Sequence, residues 1–265
     1  MLADYYICCI VMAMSLTVLF LVPFIGTLLG SAAVYFFHKG IGIRTGKVIT
    51  GFAGGVMIAA SVWSLLLPAI DESSYYTAAA GFLLGIAFLL LLDTVVPHIH
   101  ATAEKAEGKA SGLSRSSLLM LAVTLHNIPE GMAVGAAAAA SIAADGGIPY
   151  TSALALSLGI ALQNFPEGLI VSMPLYRAGK NKGRAFLEGT LSGIVEPIGA
   201  VIAFIFVSML QSLLPLLLSF AAGAMFYVVV EELIPEASEG EHSNIGTIGA
   251  AVGFALMMVL DGIFG

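Results

Sequence analysis

Two short stretches of this sequence place metal-binding side chains among apolar residues. LHNIPEGMAVG, residues 125–135, carries a His, an Asn and a Glu, and LQNFPEGLIVS, residues 162–172, carries a Gln, an Asn and a Glu at the same spacing. Helix positions i and i+4 lie on one face, so the first and last of these side chains are neighbours and the asparagine lies beside them. The two groups are His126, Asn127 and Glu130, and Gln163, Asn164 and Glu167.

The donor atoms of these stretches suit a cation. They offer carboxylate oxygen, amide oxygen and imidazole nitrogen, and no Lys or Arg lies near them to hold an anion. A His with several carboxylates suits a divalent transition metal such as Zn²⁺ better than Mg²⁺ or Ca²⁺, which prefer all-oxygen shells. A third carboxylate, Glu196 in GIVEPIGA, also has a proline next to it, here directly after the glutamate. It is expected to join the same centre.

The composition around these residues is that of a membrane protein. Hydrophobic residues make up 59% of the chain, charged residues 10%, and the mean hydropathy is +1.00, far from soluble globular values. A helix needs about 20 apolar residues to cross a bilayer, and no alternating barrel strands are present, so we predict an all-α polytopic membrane protein with one transmembrane domain over residues 1–265. The eight predicted helices are residues 8–36, 48–70, 76–97, 116–143, 149–176, 185–210, 214–236 and 245–264.

The basic residues predict the orientation of the chain in the membrane. All ten Lys and Arg residues fall in the segments that follow helices 1, 3 and 5, which lie on one side of the membrane if all eight helices cross it. The positive-inside rule makes that side cytoplasmic, so both termini are expected outside and residues 98–115 form a cytoplasmic loop of a multi-pass cell-membrane protein. The net charge of −7 argues against nucleic acid as a partner.

A proline directly precedes the glutamate of each stretch. Pro129 and Pro166 each remove one helical hydrogen bond, so helices 4 and 5 are expected to kink or open there. Gly131 and Gly168 follow the glutamates and allow close approach of another helix. Broken helices with polar groups near the midplane, in paired positions of the chain, are typical of a transport site.

HNIPEG and QNFPEG together resemble the motifs of the ZIP (Zrt-, Irt-like) family of divalent-metal transporters, closest to its prokaryotic GufA-type branch. The similarity extends over most of the chain, through LLDTVVPHIH at the end of helix 3, VEP in helix 6 and EELIPE at the end of helix 7. It implies an elevator-like movement of helices 1, 4, 5 and 6 against helices 2, 3, 7 and 8, which carries a cation into the cytoplasm. It also implies a homodimer.

The resemblance further implies a binuclear metal centre with one or two transported ions per protomer. The first metal is then held by His126, Glu130, Gln163 and Glu167, and the second by Asn127, Asn164 and Glu196, with Glu130 and Glu167 as bridges. Many relatives have Asp in place of Asn164, so the neutral amide lowers the negative charge of the second site.

Four residues near the ends of helices 3 and 7 are candidates for the transport path. They are Asp93, His98, Glu231 and Glu232. A charged residue at a helix end is also commonly a solvated or capping residue, so both interpretations stay open for these four.

The function predicted from these observations is transport of a divalent transition metal, with zinc first and cadmium, iron, manganese and cobalt as further cargoes. A metal-gated channel and a metal sensor are the alternatives. An intramembrane metalloenzyme would use the same residues to activate water, but no HExxH motif is present and His126 is the one histidine of the central helices. The chain is therefore not expected to be an enzyme.

Overall fold

The structure is a computed structural model that describes residues 2–36, 42–99, 108–109, 111–112, 114–143, 148–240 and 243–264. In these ranges the regular elements are helices, and eight of them are long and apolar enough to cross a membrane. The prediction of an all-α fold with eight spans is confirmed. The helices are α1 Leu2–Ala32, α2 Ile43–Asp71, α3 Tyr75–Val95, α4 Arg115–Ser141, α5 Tyr150–Arg177, α6 Lys182–Met209, α7 Gln211–Ser238 and α8 Ile245–Phe264.

The largest difference between the predicted and observed bounds is at the start of α1, which begins at Leu2 rather than at residue 8. A short 3₁₀ turn, Ala33–Tyr35, extends the end of the same helix. Most of the predicted loop 98–115 lies outside the described residues.

The helices associate most extensively in four pairs, which are α1 with α5, α4 with α6, α2 with α8 and α3 with α7. In every pair, glycines lie where an added Cβ would overlap the backbone of the partner helix. Lipid tails are as apolar as the helix surfaces, so close packing of small residues drives such association in place of the hydrophobic effect. The glycines include Gly26 and Gly30 for α1–α5, Gly131 and Gly135 for α4–α6, Gly51 and Gly55 for α2–α8, and Gly85 and Gly223 for α3–α7.

The four pairs form two groups. The pairs α1–α5 and α4–α6 pack on each other, as do α2–α8 and α3–α7, and the contacts of α4 with α7 and of α2 with α5 join the groups. The core where they meet is built largely from small residues, such as the alanines of α4 at positions 136–140 and Ala221 and Ala222 of α7. We call α1, α4, α5 and α6 the first group and the other four helices the second group.

Three helices depart from regular α geometry, and they are not the two that the prolines of the PEG motifs predict. The helices α4 and α5 run as continuous α-helices through Pro129 and Pro166, so an opening of either helix there is wrong, and a kink stays a prediction. A proline removes a single helical hydrogen bond, and the rest of each helix is regular on both sides of it. Instead, α6 is interrupted between Lys182–Ser192 and Val195–Met209, while α2 and α7 contain the π-helical turns Ser61–Leu66 and Val229–Leu233.

The backbone contacts of the glycines give a test in which two similar substitutions have opposite effects. Gly85→Ala should destabilise the protein by about 1–3 kcal/mol, because its methyl group would overlap Phe220 and Ala224 of α7. Gly262→Ala, in α8, has open space around the added Cβ and should stabilise it by up to about 1 kcal/mol through helix propensity. Thermal unfolding in detergent measures both variants, and equal shifts would contradict the contact at Gly85.

Candidate metal centre

The seven predicted ligands lie in one buried region between α4, α5 and α6. None of them is more than 7% exposed. Each lies near the middle of its helix, so its polar atoms are far from either end of the span. The seven are His126, Asn127 and Glu130 in α4, Gln163, Asn164 and Glu167 in α5, and Glu196 in α6.

One half of this region joins α4 to α5. The side-chain amide of Gln163 donates a hydrogen bond from Nε2 to Glu130 Oε1 at 2.6 Å. The carboxylates of Glu130 and Glu167 interact electrostatically with each other. His126 faces α7, where its Nδ1 lies 3.1 Å from Glu232 Oε2.

The other half joins α4, α6 and α1. Asn127 Nδ2 donates to Glu196 Oε1 at 3.0 Å and to the carbonyl of Ser192 at 3.3 Å. Thr27 Oγ1, from α1, donates to the same oxygen of Glu196 at 2.8 Å. Asn164 Nδ2 donates to the Pro23 carbonyl at 3.5 Å. Both asparagines therefore donate hydrogen bonds from their side-chain N–H groups to other protein atoms, and their side-chain oxygens accept none among the described residues.

The interruption of α6 places Glu196. The carboxylate falls in the first turn of Val195–Met209, where the positive end of the helix dipole stabilises a negative charge. An added Cβ at Gly193 would overlap Glu196 Oε1 and the side chain of Thr27, and one at Gly131 would overlap the Glu196 backbone. Glycine at both positions thus lets Glu196 sit between α1 and α4.

Six side-chain oxygens of this region are buried without a hydrogen-bond partner among the described residues. Buried polar atoms nearly always have a partner, and an unsatisfied one is costly, above all when it belongs to an ionised carboxylate. A cation satisfies several such oxygens at once, and carboxylate, amide and imidazole donors fit a divalent transition metal. The atoms are Asn127 Oδ1, Glu130 Oε2, Gln163 Oε1, Asn164 Oδ1, Glu167 Oε2 and Glu196 Oε2.

The side chains do not stand in a finished coordination shell. Within the described ranges no group of three His, Cys, Asp or Glu side chains is close enough to hold a metal ion. The hydrogen bonds give the reason: His126 is directed to Glu232, and Glu130 is held by Gln163. Binding a metal therefore requires some of these side chains to exchange a protein partner for the ion, with amide oxygens completing the shell.

Two of the four path candidates, Glu232 and Asp93, act on the predicted ligand His126. Glu232 contacts His126 directly, and Asp93 interacts with His126 electrostatically. Asp93 is buried, accepts a hydrogen bond from the Tyr227 hydroxyl and lies 3.6 Å from His98 Nε2. Glu231 is exposed, so the structure separates it from its neighbour in sequence.

Two residues that contact predicted site residues lie outside the sequence motifs. Thr27 donates to Glu196, and Tyr227 donates to Asp93. The one signal for Thr27 in the sequence is a polar residue between Gly26 and Gly30 in an otherwise apolar span. Tyr227 has no comparable signal, since tyrosine is common in membrane helices.

An eight-helix membrane bundle with a buried, donor-rich cluster in its central helices defines a multi-pass membrane protein of the cation-transporter class. The family model for the ZIP zinc transporters matches residues 102–261. The chain belongs to the ZIP family. This membership confirms the predicted family and shows a transporter rather than an enzyme.

Three relatives illustrate the extent of the similarity. The zinc transporter GufA of Myxococcus xanthus is 40% identical over 209 aligned positions, covering 75% of this chain and 79% of that protein. The zinc transporter ZIPB of Bordetella bronchiseptica is 38% identical over 243 positions, covering 86% and 74%. The human zinc transporter ZIP11 is 34% identical over 320 positions, covering 89% and 93%.

The unsatisfied oxygen of Asn164 predicts that a carboxylate at this position strengthens metal binding. A unit charge about 4 Å from another gains about 4 kcal/mol at an effective dielectric of about 20. Desolvation offsets much of this gain, so Asn164→Asp should tighten Zn²⁺ binding by about tenfold or more. Calorimetric titration of the purified protein with Zn²⁺ measures the affinity and the stoichiometry.

Gln211→Glu is the matched control for Asn164→Asp. It adds the same charge at an exposed position, the first residue of α7, and it should leave the affinity for Zn²⁺ unchanged. Unaltered affinity and stoichiometry in Asn164→Asp would show that position 164 does not contact the metal.

Proposed function

We propose that this protein carries Zn²⁺ into the cytoplasm through the buried centre of α4, α5 and α6. The observation that carries the proposal is the set of six unpartnered oxygens on these helices, which are costly to bury unless a cation binds them. The three relatives described above are named as zinc transporters, which favours zinc as the cargo.

The charges of the centre suit one or two divalent ions. Glu130 and Glu167 together neutralise one divalent cation, and Glu196 adds a third negative charge. We propose a binuclear centre in which His126 and Gln163 complete the first site and Asn127, Asn164 and Glu196 the second. Nitrogen and oxygen donors of this kind bind several divalent transition metals, so Cd²⁺, Fe²⁺, Mn²⁺ and Co²⁺ are proposed as further cargoes.

The two helix groups suggest how the centre is presented to each side of the membrane. Many glycines lie so close to another helix that an added Cβ would overlap its backbone. Among the described residues, both helices of each such contact belong to the same group. Between the groups, Gly159 of α5 contacts the side chain of Met257 in α8, and a methionine adapts its shape readily. These features support a movement of the first group, with the metal, against the second group.

The side of release is proposed from the basic residues and from the second group. The basic segments after α1, α3 and α5 make that side cytoplasmic under the positive-inside rule, in a protein of the cell membrane. Glu232 and Asp93 belong to α7 and α3 of the second group and act on His126 from there. We propose that they take the ion from His126 on its way to the cytoplasm.

Uptake into liposomes tests the proposed function. Purified wild-type protein should give saturable Zn²⁺ influx, measured with an internal metal-sensitive dye. Glu167→Gln should reduce this influx at least about tenfold, since it removes a charge that neutralises the ion while keeping the shape of the side chain. Glu239→Gln, at an exposed position after α7, is the matched control and should transport like the wild type.

The outcomes of this experiment separate the function classes. Influx that rises without saturation would favour a channel over a carrier. Stoichiometric binding of Zn²⁺ without influx would favour a sensor. Normal influx in Glu167→Gln would show that the buried centre does not carry the ion.

The adjacent glutamates of α7 provide a second test. Glu232→Gln should lower the maximal rate of Zn²⁺ influx several-fold, because Glu232 contacts His126 and its charge can attract the departing ion. Glu231→Gln should have little effect, since the side chain is exposed. The rates are compared in the same liposome assay, and equal rates for the two variants would refute a role of Glu232 in release.

A further inference from the structure

One carboxylate oxygen of the centre accepts hydrogen bonds from two other helices. Glu196 Oε1 accepts from Thr27 Oγ1 of α1 at 2.8 Å and from Asn127 Nδ2 of α4 at 3.0 Å. The second oxygen of the same carboxylate, Oε2, is buried and has no partner among the described residues. The two oxygens of Glu196 therefore have different environments, one occupied by donors and one available.

We propose that Thr27 is a positioning residue of the metal centre, which fixes the Glu196 carboxylate so that Oε2 is directed to the metal. The inference rests on the proposed function, since it assigns Glu196 to the ion. Hydrogen bonds to a ligand's other atoms orient that ligand and tune its strength. Helix α1 then takes part in the centre although it supplies none of the predicted ligands.

The direction of the Thr27 hydroxyl distinguishes this role from ordinary packing. A threonine in a helix commonly bonds the carbonyl four residues earlier, as Thr17 does with Ala13 at 2.8 Å and Thr124 with Met120 at 2.7 Å. Thr27 is fully buried and donates to another helix instead. Its hydroxyl donates its hydrogen bond to Glu196 rather than to a backbone carbonyl of α1.

The methyl group of Thr27 also has a partner. The position of an added Cβ at Gly193 is within 2.8 Å of both Thr27 Cβ and Thr27 Cγ2, so the methyl group packs against the glycine that interrupts α6. This contact restricts rotation about the Cα–Cβ bond and keeps the hydroxyl on the side of Glu196. Threonine thus provides both the donor and the contact that aims it.

Substitutions at position 27 separate the donor from the shape of the side chain. Thr27→Val keeps the shape and removes the donor, and it should weaken Zn²⁺ binding by about tenfold to a hundredfold, the usual effect of losing such an outer hydrogen bond. Thr27→Ser keeps the donor without the methyl contact that aims it and should recover part of the affinity. Thr17→Val is the control, because it makes the same change on α1 at an exposed threonine that bonds its own helix.

The measurements use the full-length protein in detergent, with Zn²⁺ affinity from competition against a chromophoric chelator and with thermal unfolding as a check on folding. Thr27→Val should also be combined with Glu196→Gln. In that background it should change the Zn²⁺ affinity less than twofold, because the carboxylate that it orients is gone.

The outcomes separate the positioning role of Thr27 from the proposed transport function. Wild-type affinity in Thr27→Val, or an equal loss in Thr27→Ser and Thr27→Val, overturns the positioning role. A full additional loss in the Glu196→Gln background also overturns it, since Thr27 would then act through the fold rather than through Glu196. A wild-type protein that neither binds nor transports Zn²⁺ overturns the proposed function itself.

Discussion

The arrangement of this protein depends on the free energy of placing carboxylates and amides in the middle of apolar helices. A charged or polar group in this environment must find a partner or it destabilises the fold. Among the described residues, the Glu130, Glu167 and Glu196 carboxylates each have one oxygen without a hydrogen-bond partner, and so do the neighbouring amides. These oxygens are acceptors that a bound cation could satisfy, which is why we propose the centre as a cation site.

Close helix packing is the condition under which such a centre can exist. The buried side chains meet because glycines bring α1, α4, α5 and α6 to backbone distance. Gly131 and Gly193 act directly on Glu196, since a side chain at either would occupy its place. The same small residues that allow helices to associate in lipid thus set the distances between the proposed ligands.

Much of the fold and of the site was predictable because both leave repeated or extended signals. Eight apolar stretches are long enough to recognise by length and composition, and the two PEG motifs place six polar residues at helical spacing. Glu196 could be found as a carboxylate in an apolar helix. Their burial in one region follows from the paired motifs, since α4 and α5 are consecutive in the chain and both carry them near the middle.

The remaining features depend on contacts that a single sequence does not reveal. Pro129 and Pro166 lie in continuous helices, while α6 is interrupted at Gly193 and Ile194. Glu231 and Glu232 are adjacent in the sequence, and the structure places Glu232 against His126 and leaves Glu231 exposed. Thr27 is one polar residue without a motif, and its role depends on the position of α6.

The neutral Asn164 suggests a balance between holding the ion and returning without it. A carrier that moves an empty centre between two sides must bury its unpaired charges during the return, and each carboxylate raises the free energy of that state. An amide at position 164 keeps an oxygen donor for the metal while its N–H group bonds the Pro23 carbonyl. In the proposed cycle, the empty centre is less costly to bury than one with a fourth carboxylate, and we expect a lower affinity for the ion for the same reason. Weaker binding and easier return would then follow from a single side chain.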